Sequence, residues 1–440
     1  MENITKKYKI ITYGCQMNIH ESEKIAGILC KNGYVETIDE KNADIIVFNT
    51  CCIRENAEDR AEGNIGALKK LKKSKKELII AVGGCMTQQS GFAEKFAKKF
   101  PFVDIIFGTH NLERFEELLN KKLQTNKRVI SVDEKEGKII EGTPKTRTSF
   151  PNAWVNITYG CNNFCTYCIV PYVRGRERSR KIEDIVSECK ALVNEGYREI
   201  TLLGQNVNSY GNDLENTNFS TLINEISKIE GKFRLRFMTN HPKDFNEDLI
   251  KAISSSDKVA KSVHLPVQAG SNRILKLMNR RYTRENYIEK VALLRKYMPD
   301  VAITTDIMVG FPTETEFDFK DTLDLVRDIK FSGAFTFVYS KRDGTPASKM
   351  DGQIEESVSK NRIMTLIDVQ NRINREHSKE YKDKTVEILC EGFDEKKKMY
   401  LGRDTYGRMA YFKCDKNIIG QFVMVKIIQT GGISLIGQLI

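Results

Sequence analysis

No apolar run in this 440-residue sequence approaches the ~20 residues that a membrane-spanning helix needs; stretches such as LIIAV at 78–82 fall far short. The start, MENITKKYKI, has no apolar h-region, so no cleaved secretory signal is expected there. Internal repeats and low-complexity tracts are also missing. Eleven cysteines are too few for a disulfide scaffold in a chain of this length. These absences exclude membrane and secreted classes and point to a soluble, cytoplasmic protein. In a reducing compartment, clustered cysteines serve as metal ligands or catalytic groups. The net charge of +11 is a modest excess, compatible with a nucleic-acid partner without demonstrating one. At ~150 residues per domain, the length suggests about three domains.

Residues 8–120 alternate short β-branched runs (Tyr8–Thr12, Asp44–Asn49, Leu78–Gly83, Asp104–Phe107) with amphipathic stretches near 22–31, 54–73, 88–99 and 112–121. Such alternation predicts a doubly wound parallel sheet with helices on its faces. Residues 126–150 read as a polar linker with one short strand at Arg128–Val132. From 153 to 340 six further strands are expected: Ala153–Thr158, Glu199–Leu203, Lys232–Phe237, Lys261–Leu265, Val301–Val309 and Ala334–Tyr339. The stripe Ile182, Ile185, Val186, Cys189, Leu192 and Val193 marks one intervening helix. Six βα units predict a partial (β/α)6 barrel rather than an eight-fold one. A long polar helix is expected over Glu356–Tyr381. Four short strands with Gly-rich turns (Val386–Cys390, Arg408–Phe412, Phe422–Ile428, Ser434–Gln438) then suit a small β-barrel. The expected domains are 1–125, the linker 126–150, 151–375 and 376–440.

The cysteines fall into two sets of three. Cys161, Cys165 and Cys168 form C-x3-C-x2-C directly after the first strand of the second region. Three thiolates on one tight loop can hold three irons of a [4Fe–4S] cube and leave the fourth open to a substrate. The alternative is a zinc knuckle borrowing a distant fourth ligand. Cys15, Cys51 and Cys85 lie 36 and 34 residues apart, each just after a predicted strand in KIITYGC, IIVFNTC and IIAVGGC. In a parallel sheet those ends share one rim, where α/β folds place their ligands, so the three thiols are expected to converge. The bland alternative is three unrelated buried cysteines. Cys189, Cys390 and Cys414 read as core residues, Cys30 as the end of a helix, and Cys52 as a spare thiol beside Cys51.

C-x3-C-x2-C in a partial barrel resembles the radical S-adenosylmethionine (SAM) signature. The contexts GCQMN, NTC and GGC resemble the N-terminal domain of the methylthiotransferases, and the terminal barrel resembles the RNA-binding TRAM domain. TYGCQMN at 12–18, VPYVRGRERSR at 170–180, LLGQNVNSYG at 202–211 and HLPVQAGSNRILKLMNRRYTRE at 264–285 resemble the branch of MiaB-type tRNA 2-methylthio-N6-dimethylallyladenosine synthases. Sister branches acting on threonylcarbamoyladenosine or on a ribosomal protein read GCKVN or GCPKN at the first motif. Cys52 stands where the family more often has Ser or Ala.

The resemblance implies two [4Fe–4S] clusters, held by Cys161, Cys165 and Cys168 and by Cys15, Cys51 and Cys85. It implies SAM on the open iron of the first, with Tyr167, Gly204, Gln205, Asn206, Arg236, Thr239, Asn240 and Gln268 as SAM contacts on the barrel's C-terminal rim. It implies a monomeric enzyme that methylthiolates C2 of the N6-dimethylallyladenosine at position 37, in a tRNA anticodon stem-loop. SAM would be both methyl donor and radical source, and flavodoxin or ferredoxin the electron donor. Competing readings are methylthiolation of threonylcarbamoyladenosine, a ferredoxin-like carrier and a non-catalytic iron–sulfur RNA-binding protein. A carrier would use fully ligated clusters, which two three-cysteine sets do not provide.

Three smaller expectations complete the reading. Thr313 and Glu316 form a T-x-x-E capping box, and His264 is a satisfied rim residue. The lysines of 69–76 are a solvated helix end, whereas Arg174, Arg176, Arg178 and Arg180 are placed to contact phosphates. The tail from 381 to 440 carries ten Lys and Arg against seven Asp and Glu, a net of +3, and is expected to bind RNA and to be dispensable for both cysteine sites.

Overall fold

The computed structural model describes residues 5–52, 55–134, 137, 139–432 and 434–440, with the side chains of 55–57 left undescribed. The chain forms two compact units: Met1–Thr148 with Tyr159–Asn162 and Cys168–Arg178, and Ser149–Thr158 with Asn163–Tyr167 and Ser179–Ile440.

The first unit is built on six parallel strands: β1 (Lys7–Thr12), β2 (Val35–Glu36), β3 (Ile45–Thr50), β4 (Ile79–Gly84), β5 (Ile105–Phe107) and β6 (Val129–Ser131). Their order is β2-β1-β3-β4-β5-β6, with four helices between them: α1 (Gln16–Lys31), α2 (Glu55–Ser74), α3 (Phe92–Lys99) and α4 (Phe115–Thr125). β3 and β4 are buried along their whole length, as expected where helices cover both faces. Alternate residues feed two cores. Ile45, Val47, Ile79 and Ala81 join Leu29 of α1 and Phe115 of α4, whereas Ile46, Phe48, Ile80 and Val82 join Ile65 of α2 and Phe96 of α3. The doubly wound reading therefore holds.

Three details differ from the sequence reading. α1 starts at Gln16, directly after Cys15, because its first turns carry polar residues buried in the unit. The α3 helix starts at Phe92, after Gly91 at φ +66°. The lysine run is not simply solvated: Lys72 pairs with Asp104 at 2.7 Å and Lys75 with Asp44 at 2.8 Å. The expected start of α2 at residue 54 lies outside the described residues.

The second unit opens with β7 (Asn152–Asn156). The short strands β8 (Thr158–Tyr159) and β9 (Arg178–Ser179) and the helix α5 (Val170–Arg174) lie around the cysteine loop in sequence. Then follow α6 (Ile182–Asn194), β10 (Glu199–Leu203), α7 (Phe219–Ser227), β11 (Arg234–Phe237), α8 (Glu247–Ser255), β12 (Ser262–His264), α9 (Asn272–Leu277), α10 (Arg284–Tyr297), β13 (Ala302–Val309), α11 (Glu316–Ile329), β14 (Gly333–Val338) and α12 (Glu356–Lys379). The six barrel strands form two parallel ladders, β11-β10-β7 and β12-β13-β14. Leu235 bridges to Val259 between them, and the Asn240 amide donates to His264 O at 2.7 Å. The capping box of α11 uses Thr315 and Asp318, not Thr313 and Glu316: Asp318 Oδ2 accepts from Thr315 N at 2.8 Å. Thr313, at φ +66°, belongs to the preceding turn.

The tail is a closed five-stranded barrel ordered β15-β16-β17-β19-β18: β15 (Thr385–Asp394), β16 (Met399–Arg403), β17 (Met409–Lys413), β18 (Phe422–Gly431) and β19 (Ser434–Leu439). Its core holds Ile388, Cys390, Ala410, Phe412, Val425, Ile427 and Leu435. The sequence reading missed β16, whose polar approach KKKMY hides the pattern.

This barrel is not a free appendage. Arg234 Nη1 donates to Arg403 O at 2.9 Å and Arg236 Nη2 to Asp404 O at 2.7 Å. Glu199 accepts from Arg236 Nε at 2.7 Å and from Arg234 Nη1 at 3.4 Å. Removing the tail would strip the buried Arg234 and the half-buried Arg236 of these carbonyl partners. Removing the anion that the buried Arg234 shares with the half-buried Arg236 leaves uncompensated charge. Glu199→Ala should therefore destabilise this unit by about 3–5 kcal/mol, read as a lowered urea midpoint, with Glu199→Asp intermediate.

Candidate functional site

Cys15, Cys51 and Cys85 do converge. Thr12 pairs in register with Asn49 and Thr50 with Gly84, so Cys51 and Cys85 leave neighbouring strands at one level. Cys85 N donates to Thr50 O at 2.9 Å. Gly14 adopts φ +124°, and a Cβ there would lie 2.6 Å from Cys51 Cβ. Gly84 adopts φ +107°, and its Cβ would meet Thr50 O at 2.3 Å. Both glycines supply conformations and clearances that other residues cannot. A buried amide network fixes Cys15 against this corner: Asn18 Nδ2 donates to Asn49 Oδ1 and Thr50 O, both at 3.2 Å, and Asn49 Nδ2 to Asn18 O at 2.8 Å.

Cys51, Cys52 and Cys85 are 3%, 1% and 2% exposed. Cys15 caps the N-terminus of α1, where the helix favours a thiolate. Burial still pushes its thiol up, opposed by the Arg174 charge. A hydrogen bond from Cys52 pulls the Cys85 thiol below its ordinary value, and Arg174 adds to this. The Cys52 thiol is pushed well up by that hydrogen bond and by burial.

Arg174, 7% exposed, grips Glu21 through Nη1–Oε1 at 2.6 Å and Nη2–Oε2 at 3.2 Å. Arg180 is equally committed, to Glu188 Oε2 at 2.8 Å and Asn156 O at 2.7 Å. Neither is placed to meet phosphate, which corrects that expectation for these two. Long basic side chains beside a polar loop do not reveal from sequence that their partners are internal.

The loop 161–168 carries the other set. Its Cys161 N donates to Gly175 O at 3.1 Å. Cys165 is 7% exposed and accepts from Arg280 Nη1 at 3.4 Å. Arg280 also donates to Pro266 O at 2.9 Å, to Tyr282 Oη at 3.0 Å and to Tyr167 Oη at 3.5 Å. Asn279 Nδ2 holds Phe164 O at 3.0 Å, and Thr166 N donates to Met278 O at 3.1 Å. Arg280 and Asn279 escaped the sequence reading, although the motif NRRY that contains them was in view.

Gly204, Gln205, Asn206, Thr239, Asn240 and Gln268 follow the C-terminal ends of β10, β11 and β12. Thr239 and Gln268 take φ +68° and +72°, the latter with N donating to Asp306 O at 2.8 Å. A Cβ on Gly204 would meet Thr158 Cγ2 at 2.5 Å. Arg236 does not join them. Its guanidinium turns back to Glu199 at the start of β10, so it is removed from the SAM contacts. His264 closes β12 at its C-terminal end and is satisfied there, with Nδ1 3.0 Å from Thr304 Oγ1 and Nε2 3.5 Å from Asp306 Oδ2.

The residues fit the groups that the sequence implies. Among the described residues, no three His, Cys, Asp or Glu side chains are arranged to hold a single metal ion. A cube distributes its ligands over separate irons and needs them further apart. Thiols held by positive-φ glycines and a buried cation are the donors such a cube takes. At the barrel rim, Asn156 Oδ1 and Nδ2, Asn206 Oδ1, Asn240 Oδ1 and His241 Nε2 are buried without protein partners. Burial, with Arg280 and Lys243 nearby, holds His241 neutral, its pKa down to about 2. Orphaned polar atoms at strand ends suit a polar cofactor.

Residues 155–326 match the radical SAM superfamily, 7–108 an uncharacterized protein family, UPF0004, and 379–440 the TRAM domain. The fold resembles the radical SAM methyltransferase TsrM of Kitasatospora setae, with a TM-score of 0.59 at 12% identity over 78% of this chain and 74% of that one. It also resembles the cobalamin-dependent radical SAM enzyme OxsB, with a TM-score of 0.54 at 15% identity over 84% and 56%. The chain is thus a radical SAM enzyme, using SAM and [4Fe–4S] chemistry.

The tRNA-2-methylthio-N(6)-dimethylallyladenosine synthase of Clostridium botulinum strain Langeland is 53% identical over 99% of this chain and 97% of its own length. The enzyme of that name from Clostridium tetani is 54% identical over 98% and 95%, and that of Clostridium perfringens 51% over 100% and 99%. The chain belongs to the tRNA-2-methylthio-N(6)-dimethylallyladenosine synthase family.

Since Gly14 has no room for a Cβ, Gly14→Ala should displace Cys51. Reconstituted protein should then lose about half its iron, retaining one cube, as read by iron assay and Mössbauer spectroscopy.

Proposed function

We propose that this enzyme replaces the C2 hydrogen of N6-dimethylallyladenosine, at position 37 in a tRNA anticodon loop, by a methylthio group, with SAM as methyl donor and radical source. The observation carrying this is the convergence of Cys15, Cys51 and Cys85 in one unit, in a chain with a second cysteine set and whole-length similarity to synthases of that name. An aromatic C2–H is not acidic, so no histidine or carboxylate of the rim can usefully take it as a proton. Cys161, Cys165 and Cys168 would hold a [4Fe–4S] cluster, which together with SAM would supply the one-electron chemistry that the side chains lack.

The residues prepare that chemistry. Cys15, Cys51 and Cys85 hold the second, sulfur-handling cluster. Tyr167, Gly204, Gln205, Asn206, Thr239, Asn240 and Gln268 would hold SAM, for which the orphaned amide oxygens of Asn206 and Asn240 are available acceptors. Burial of Cys51, Cys85 and Cys165 limits the access of water to these sulfurs. In domain terms, 1–125 carries the auxiliary cluster, 126–150 links, 151–375 generates the radical, and 376–440 contacts RNA. The target base must leave the loop's stack to reach the rim. A monomer supplied by a flavodoxin- or ferredoxin-type donor in the cytoplasm completes the reading. Among the described residues no helix is long and apolar enough to cross a membrane.

Mass spectrometry of tRNA nucleosides, from cells with and without the protein, tests this. Loss of the 2-methylthio-dimethylallyl nucleoside is expected; selective loss of the threonylcarbamoyl analogue would replace the substrate assignment. The two cysteine sets should also separate. Replacing Cys161, Cys165 and Cys168 by Ala should abolish 5′-deoxyadenosine and product. Replacing Cys15, Cys51 and Cys85 should spare reductive SAM cleavage yet abolish methylthiolation. Each variant should keep about four irons, and normal product from the second would refute the division of labour.

A further inference from the structure

Resting on the reading of Cys15, Cys51 and Cys85 as a cluster site, we propose that Arg174 is its positioning residue: a fixed buried cation, aimed by Glu21, that sets the cluster's charge balance and anchors helix α5 to it. Several independent features fix Arg174. It is the last residue of α5 and is followed by Gly175 at φ +76°. Ile169 and Val173, before and within the same helix, pack on Cys52 and Cys85. Thr109 Oγ1 donates to Val173 O at 2.6 Å, holding the helix end from a second side. The fork to Glu21 orients the guanidinium plane, and a fork leaves further N–H groups for sulfur, which an ammonium could not do with equal geometry.

The charge arithmetic gives this placement a consequence. Three thiolates outweigh the core charge of an oxidised cube, and an added electron deepens the excess. In a dry interior a cation in contact acts at low dielectric and is little screened. Glu21 occupies Nη1 and Nη2 of Arg174, while Val173, the residue before Arg174, packs in the same cluster as Cys52 and Cys85, which places the Arg174 charge beside these sulfurs. Sequence continuity adds a second role. Cys168 lies one residue before Ile169, so the segment that ends the SAM-cluster loop also carries the cation of the auxiliary site.

The test uses reconstituted full-length holoprotein and its Arg174→Gln, Arg174→Lys and Glu21→Gln variants. Iron content and EPR-monitored reduction are read, following the cluster whose signal does not respond to added SAM. Arg174→Gln should keep its iron but be at least tenfold harder to reduce at that cluster, about 59 mV for one electron. The SAM-responsive cluster should be unmoved. Arg174→Lys should stay near the parent, and Glu21→Gln should shift the opposite way. An unchanged potential in iron-replete Arg174→Gln, or shifts of one sign in both charge variants, overturns the proposal. If Arg174→Gln loses that cluster, Arg174→Lys decides. Retention at the parental potential supports the charge role, and loss in both reduces Arg174 to packing. Failure of the parent to yield methylthiolated nucleoside would count against the functional reading alone, because the potentials are measured without RNA.

Discussion

Sulfur that must be anionic and dry needs a cation in the same interior. Stripping water from an ion costs several kcal/mol after relaxation, so each buried thiolate must find its compensation inside the protein. Both cysteine sets meet this with one buried arginine. Arg174 stands by Cys85 and is held by Glu21. Arg280 donates to Cys165 and is held by Pro266 O and Tyr282. Arginine suits the task because its fork is saturated on one side by oxygen while the other side faces sulfur. The supporting residues, Glu21 on α1 and Tyr282 before α10, sit on unrelated elements. The answer recurs through chemistry rather than through repeated sequence.

The two sets are nevertheless assembled differently. The auxiliary set depends on register. Thr50 opposite Gly84 brings Cys51 and Cys85 level, and Gly14 lets the chain turn without striking Cys51. The strap for the other set is local: Asn279 and Thr166 bind the loop to the turn after α9. A site made of strand ends inherits the rigidity of a fully buried sheet. One made on a loop is only as fixed as the side chains that tie it down.

Much of this was legible in the sequence because it rests on period and position. The buried strands IIVFNT and IIAVGG read as continuous apolar runs, and a cysteine after each foretold that Cys51 and Cys85 come level. What stayed hidden were long-range partnerships. Nothing local to Arg174 announces Glu21, 153 residues away. Arg236 looked like a rim residue because it closes a strand, and only the register reveals that its side chain returns to Glu199. The true capping pair, Thr315 and Asp318, lies two residues beyond the motif that resembled one. β16 failed the pattern test because its strand is licensed by partners on both sides in a closed barrel, not by its own composition.

The tail illustrates how such partnerships change the meaning of a module. With a net charge of only +3, it has little electrostatic claim to RNA by itself. Its Arg403 and Asp404 carbonyls instead complete the solvation of Arg234 and Arg236, whose shared anion Glu199 opens a central barrel strand. Without those carbonyls, one carboxylate would have to satisfy a buried and a half-buried guanidinium. The terminal barrel and the central barrel are thus joined through a largely buried polar cluster, which tolerates little displacement because each unmet donor costs about 1–3 kcal/mol. An RNA-contacting surface built on this barrel would have its position fixed relative to the C-terminal strand ends of the central barrel. Rigid placement of that kind is what presenting one nucleobase at one rim requires, and a flexibly tethered binding module would not supply it.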